Sequence, residues 1–114
     1  MDELNVKRVF LSYGMHGRTE KEQNIVRNRL ALKAQLYGTN DPEFGSSWIQ
    51  TVDNRDAKTD GGRLSYLGLA IQKMDTCDAI IFDDDWYKYE GCIIERHVAE
   101  LYGLKILGVD DEDE

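Results

Sequence analysis

Cysteine is scarce in this 114-residue chain, and the two that occur, Cys77 and Cys92, have no CxxC partner. A disulfide framework and a thiolate zinc site are thereby set aside, and both thiols are expected to be buried. Long apolar runs are also missing, so no segment is expected to cross a bilayer. Cations are in the minority, 14 Lys and Arg against 22 Asp and Glu, for a formal charge of −8. Polyanions are held mainly through Lys and Arg, which argues against a nucleic-acid polymer as the partner. Part of the negative charge is only a tail, Asp110 to Glu114, which is expected to be disordered. Histidine occurs twice, as His16 and His97, and Asp83-Asp84-Asp85 form no recognised calcium loop. No metal and no cofactor are therefore expected. The opening Met1-Asp2-Glu3 does not begin like a signal peptide, which points to a cytoplasmic location.

What the chain does have is 41% hydrophobic and 32% charged residues, a balance that suits one domain with one core, expected over 1–109. Short apolar runs alternate with amphipathic stretches, the order of an α/β fold. Val9-Phe10-Leu11-Ser12-Tyr13 carries β-favouring residues and stops at Gly14. Thr19 and Glu22 have capping-box spacing, after which Val26, Leu30, Ala34 and Tyr37 recur at helical intervals until Gly38. Pro42 and Gly45 punctuate the next segment, Trp48 to Val52 reads as a second strand, and Asp53 to Gly62 as a mobile loop. Leu64, Leu67, Ile71 and Met74 mark a second helix, and Ala79 to Phe82 a third strand. A final helix around Cys92 to Tyr102 is expected to place Ile94, Val98 and Leu101 on one face, with Gly103 ending it and Leu104 to Val109 forming the last strand. The expected architecture is a three-layer, Rossmann-like or flavodoxin-like fold whose four parallel strands lie in the order 2-1-3-4.

Such sheets place ligands outside the carboxyl ends of their strands, where two loops of this chain should meet. The first, Tyr13-Gly14-Met15-His16-Gly17-Arg18, leaves a strand and enters a helix. Its glycines allow close backbone approach, and Arg18 and the helix N-terminus favour an anion; a tight turn with a solvated arginine is the plainer alternative. The second, Asp83 to Gly91, carries Trp86, Tyr87 and Tyr89. These aromatics suit base stacking, core closure or a subunit contact. Beyond them stands Glu95, on the first turns of a helix, where a carboxylate either complements the macrodipole or does chemistry.

Gly91, Glu95 and Ala99 reproduce the G-x-x-x-E-x-x-x-A signature of the nucleoside 2-deoxyribosyltransferase superfamily, which the chain resembles. Gly17-Arg18 is similar to the Gly-Arg pair of the deoxynucleoside 5-monophosphate N-glycosidases. The closest likeness is to small phage and bacterial proteins of the domain-of-unknown-function 4406 family. It rests on Met15 and Gly17, Leu67-Gly68 with Ile71, Met74, Asp78, Trp86, and Gly91-Cys92 with Glu95. The resemblance implies that Glu95 attacks C1 of a 2-deoxyribosyl group and displaces the base. Asp83 is the candidate proton donor, with Asp84 and Asp85 of the same cluster as alternatives to it. Tyr13, Gly14, His16, Gly17, Arg18, Trp86 and Gly91 would bind the nucleoside or nucleotide, Arg18 and the Gly14 and Gly17 amides meeting a 5-phosphate. A homodimer or higher homo-oligomer in a bacterial or phage-infected cell is implied as well. The chain departs from the superfamily at Ala70, where active relatives carry an Asp, and at Tyr89, where they carry Asp or Ser. A non-catalytic nucleotide-binding accessory protein and a protein-interaction scaffold are the alternative functions.

Overall fold

The computed structural model describes residues 6–37, 40–41, 45–46, 49–55 and 57–108. Gly38, Pro42, Trp48, Val109 and the acidic tail, to which expectations were attached above, lie outside the described residues. In chain order the elements are β1 (Arg8–Ser12), α1 (Glu20–Gln35), a short hairpin of β2 (Asn40–Asp41) and β3 (Gly45–Ser46), then β4 (Gln50–Val52) and α2 (Arg63–Met74). They continue with β5 (Ala79–Phe82), a 3-10 turn (Trp86–Lys88), α3 (Glu90–Tyr102) and β6 (Lys105–Leu107).

The main sheet has the order β4-β1-β5-β6 with every pairing parallel, which is 2-1-3-4 when only its own strands are counted. Central β1 is in register with β4 through Val9 and Thr51 on one side and with β5 through Phe10 and Ile80 on the other. Asp78 ties the start of β5 to β1, its Oδ2 accepting from the Lys7 and Arg8 amides at 2.8 and 3.0 Å.

Strand alternation divides the core into two layers. Val9, Leu11 and Ile81 face α1, where they pack with Val26, Leu30 and Ala34. Phe10, Ile80 and Phe82 face the opposite way and pack with Ala70 and Met74 of α2 and Cys92 and Ala99 of α3. Complete burial of Phe10, Leu30 and Ile80 contributes about 1.5–3 kcal/mol apiece. The capping box at α1 forms as its spacing requires: Thr19 Oγ1 accepts from the Glu22 amide and the Thr19 amide donates to Glu22 Oε1. Among the described residues no helix is long and apolar enough to cross a membrane.

Three expectations need correction. The buried face of α3 is Cys92, Glu95 and Ala99, whereas Ile94 and Leu101 are 40% and 68% exposed. The stripe carrying Cys92 and Ala99 packs with Ala70 and Met74 of α2 and Ile80 and Phe82 of β5, and of the expected face only Val98 is packed beside them, partly buried. Leu64 likewise stands in solvent, in the first turn of α2, whose buried residues are Ala70 and Met74 further along. Cys92 is buried as expected, whereas Cys77 is only half-buried.

Candidate active site

The carboxyl ends of β1 and β5 lie side by side, and α1 and α3 leave them on opposite faces of the sheet. This is the crevice at which open α/β sheets bind ligands. Ser12 closes β1 on the face of Phe10, and its Oγ donates to Glu95 Oε1 at 2.6 Å. Both residues are buried, Ser12 at 1% and Glu95 at 8% exposure. Burial pushes the Glu95 carboxyl up to about 7, against the opposing effect of the Ser12 hydrogen bond. Beside it, burial raises the Cys92 thiol to about 12, so it stays protonated and inert.

Asp83 emerges from β5 on the other face. It is 2% exposed and receives Arg29 of α1 at 2.6 Å and Arg18 at 3.4 Å. Burial alone would raise its carboxyl, but the hydrogen bond from Arg29 and those around it outweigh that effect and hold it below the usual carboxylate range. A carboxylate kept ionised in this way argues against proton donation at neutral pH, and its two arginine partners make Asp83 a charge anchor between α1 and the sheet.

Arg18 reaches the crevice but arrives with its donors in use. Its guanidinium donates to the Gly14 carbonyl at 2.8 Å and to Asp85 Oδ2 at 2.9 Å, besides the contact with Asp83. It also lies over the Tyr89 ring, 5.2 Å from the centroid. Tyr89 in turn packs on Gly14 so tightly that a Cβ there would fall 2.2 Å from ring carbons. Only glycine fits under that ring.

The remaining expected ligand residues are dispersed. Tyr13 is buried on the α1 side, its hydroxyl donating to Asp53 Oδ2 at 3.0 Å, and burial with that carboxylate raises the phenol. It is a core residue on the face away from Glu95. His16 and Gly17 are exposed, with Gly17 in the left-handed region at φ 82° that glycine favours. Trp86 packs between Phe82, 6.0 Å away ring to ring, and Arg96, whose guanidinium lies 4.5 Å over the indole. Gly91 sits exposed in the first turn of α3. Ala70 is fully buried among the residues between α2 and the sheet.

Two partners were missed by sequence reasoning. Ser12 carried a faint signal, a hydroxyl inside an otherwise apolar strand; Arg29 carried none, since an arginine on an amphipathic helix is ordinarily solvated. Among the described residues no group of three or more His, Cys, Asp or Glu side chains could hold a metal ion. An open cleft of about 450 Å³ lies on the α1 side, lined by Arg18, Glu22, Ile25, Val26, Arg29 and Asp85. It therefore opens onto the Arg–Asp network, with Glu95 absent from its lining. No family model, curated protein or solved structure matches the chain.

Proposed function

We propose that this chain cleaves the N-glycosidic bond of a nucleoside or nucleotide, or transfers its 2-deoxyribosyl group, through Glu95. The observation that carries the reading is the buried Ser12–Glu95 pair at the crevice between β1 and β5. Ser12 fixes Oε1, and Oε2 has no hydrogen-bond partner among the described residues. Oε2 is thus the atom free to bond C1 of the sugar as the C1–N bond breaks and its electron pair leaves with the base. Water or a second base then attacks C1, and the carboxylate departs. Glu95 must be ionised for the first step, so base release should fall as pH drops below about 7.

The second reading, a nucleotide-binding protein without catalysis, is favoured by Asp83, whose depressed carboxyl is poorly suited to give the departing base a proton. The two readings separate when deoxynucleosides and their monophosphates are incubated with the protein, with and without an acceptor base, and free base is measured by chromatography. Release from the native protein, reduced about a thousandfold or more in Glu95→Gln, is the expected result. A ligand that raises the melting temperature and is recovered intact would replace catalysis with binding.

Homo-oligomer formation is part of the same proposal. It is supported by the outer face of α1 and its C-cap, where Ile25, Leu32 and the capping Leu36 are 56%, 71% and 81% exposed at helical spacing. A bacterial or phage-infected cytoplasm is the proposed setting.

A further inference from the structure

We propose that the cleft between α1 and the loop after β4 is a second ligand site, one that takes the phosphate group of a small molecule on Arg27 and Arg55. The cleft has a volume of about 470 Å³ and is lined by Glu20, Gln23, Asn24, Arg27 and Arg55. It lies on the α1 side of the sheet, whereas Glu95 meets Ser12 on the face of Phe10. The site therefore stands or falls independently of the reaction proposed for Glu95.

Arg27 is half-buried and makes no hydrogen bond or ion pair among the described residues, whereas every other arginine of the chain makes at least one. Acids outnumber cations 22 to 14, so a guanidinium drawn partly out of water without a counter-charge is not what composition would produce. Arg55 joins it from the loop. Its side chain is only 12% exposed, and its guanidinium donates to Asn24 Oδ1 and lies 3.7 Å from Glu20 Oε2. Glu20 is 87% exposed, which leaves that pairing screened by water and weak. Asp53 is already engaged, Oδ1 accepting from the Arg55 amide and Oδ2 from the Tyr13 hydroxyl. Both guanidiniums act on the Tyr13 phenol, opposing the burial and the Asp53 contact that raise it, so both stand near that one group. A planar carboxylate fills one guanidinium fork, whereas a tetrahedral phosphate presents oxygens to two at once. The cleft is larger than a bare phosphate needs. Gln23, whose Nε2 donates to the Met15 and Arg18 carbonyls, keeps Oε1 to accept, and Asn24 keeps its amide N–H groups to donate, which suits a polar remainder of the ligand.

The test titrates inorganic phosphate into the protein at constant ionic strength, with chloride as the reference anion, and follows the arginine Nε–Hε signals by NMR. Those of Arg27 and Arg55 should shift together and saturably. Arg27→Gln should weaken binding about tenfold or more, since it removes a charge-assisted pair. Because Arg27 has no partner to lose, the same change should leave the melting temperature in the absence of phosphate as it was. Lys21→Gln removes an equal charge from an exposed position of α1 outside the cleft, and should change affinity by no more than about twofold. No saturable shift at Arg27 and Arg55 would overturn the site, as would equal weakening by Lys21→Gln and Arg27→Gln, the mark of a response to overall charge. Shifts confined to Arg18 and Arg29 would place the anion in the cleft on the other flank of α1 and overturn it equally. Citrate is the second probe, and tighter binding of citrate than of phosphate would overturn the assignment to a phosphate group. Release of base from nucleosides, present or absent, bears on Glu95 alone.

Discussion

At the scale of single residues, Glu95 ties stability, and in the proposed reaction chemistry, to one titration. Its carboxyl sits near 7 in the folded chain, against about 4.5 when solvated. Between those values the folded state holds a proton that the unfolded chain releases, so stability falls as pH rises through this window and the penalty is complete above about 7. Glu95→Gln keeps an acceptor for Ser12 and never ionises. It should therefore be about 2–3 kcal/mol more stable than the native chain at about pH 8, with the gain disappearing near pH 4, as read from denaturant midpoints. Under the proposed reaction the same isosteric change removes base release, the pattern of a residue held in an unfavourable state for use. Asp83 titrates with the opposite sign. The stability it contributes is present above the ordinary carboxylate range and is lost as pH falls through its depressed value. Arg29→Gln should cost about 1–3 kcal/mol near neutrality, since Arg29 is half exposed and Arg18 remains, and it should flatten the acid limb of the stability curve.

Secondary elements were legible where the signal is local. The capping box placed the start of α1, and Thr19→Ala should lower stability by about 1 kcal/mol, measurable as a drop in melting temperature. The strand Ala79 to Phe82 was readable because buried parallel strands are continuous apolar runs, and all four of its residues are buried. The face of α3 was not. Its sequence holds two stripes that both satisfy helical spacing, Ile94 with Val98 and Leu101, and Cys92 with Glu95 and Ala99. Periodicity cannot choose between them, and the choice went to the stripe small enough to lie close to Ala70 and Ile80. That choice is also what turned Glu95 inward. A rotation of α3 onto its bulkier stripe would have left the same carboxylate in solvent.

At the scale of the whole molecule, one helix covers one face of the sheet while two cover the other, and α1 keeps apolar residues on its outer side. Sedimentation should show a homo-oligomer that Leu32→Glu reduces to the monomer; a native chain that sediments as a monomer at high concentration would remove assembly from the proposal. The strand order, its all-parallel pairing and the two-layer division of the core were determined by the sequence itself. They follow from alternation, run length and the rule that parallel strands need crossovers, which neighbouring residues express. The condition of the site was decided only by tertiary structure. Glu95 owes its raised proton affinity to burial by α3 packing, against the opposing hydrogen bond from Ser12, 83 positions away. Asp83 owes its ionised state to Arg29, 54 positions away, and Arg18 is occupied by Asp85, 67 positions away. Charge state and access depend on desolvation and on partners brought together across the sheet, and those quantities exist only once the chain has folded.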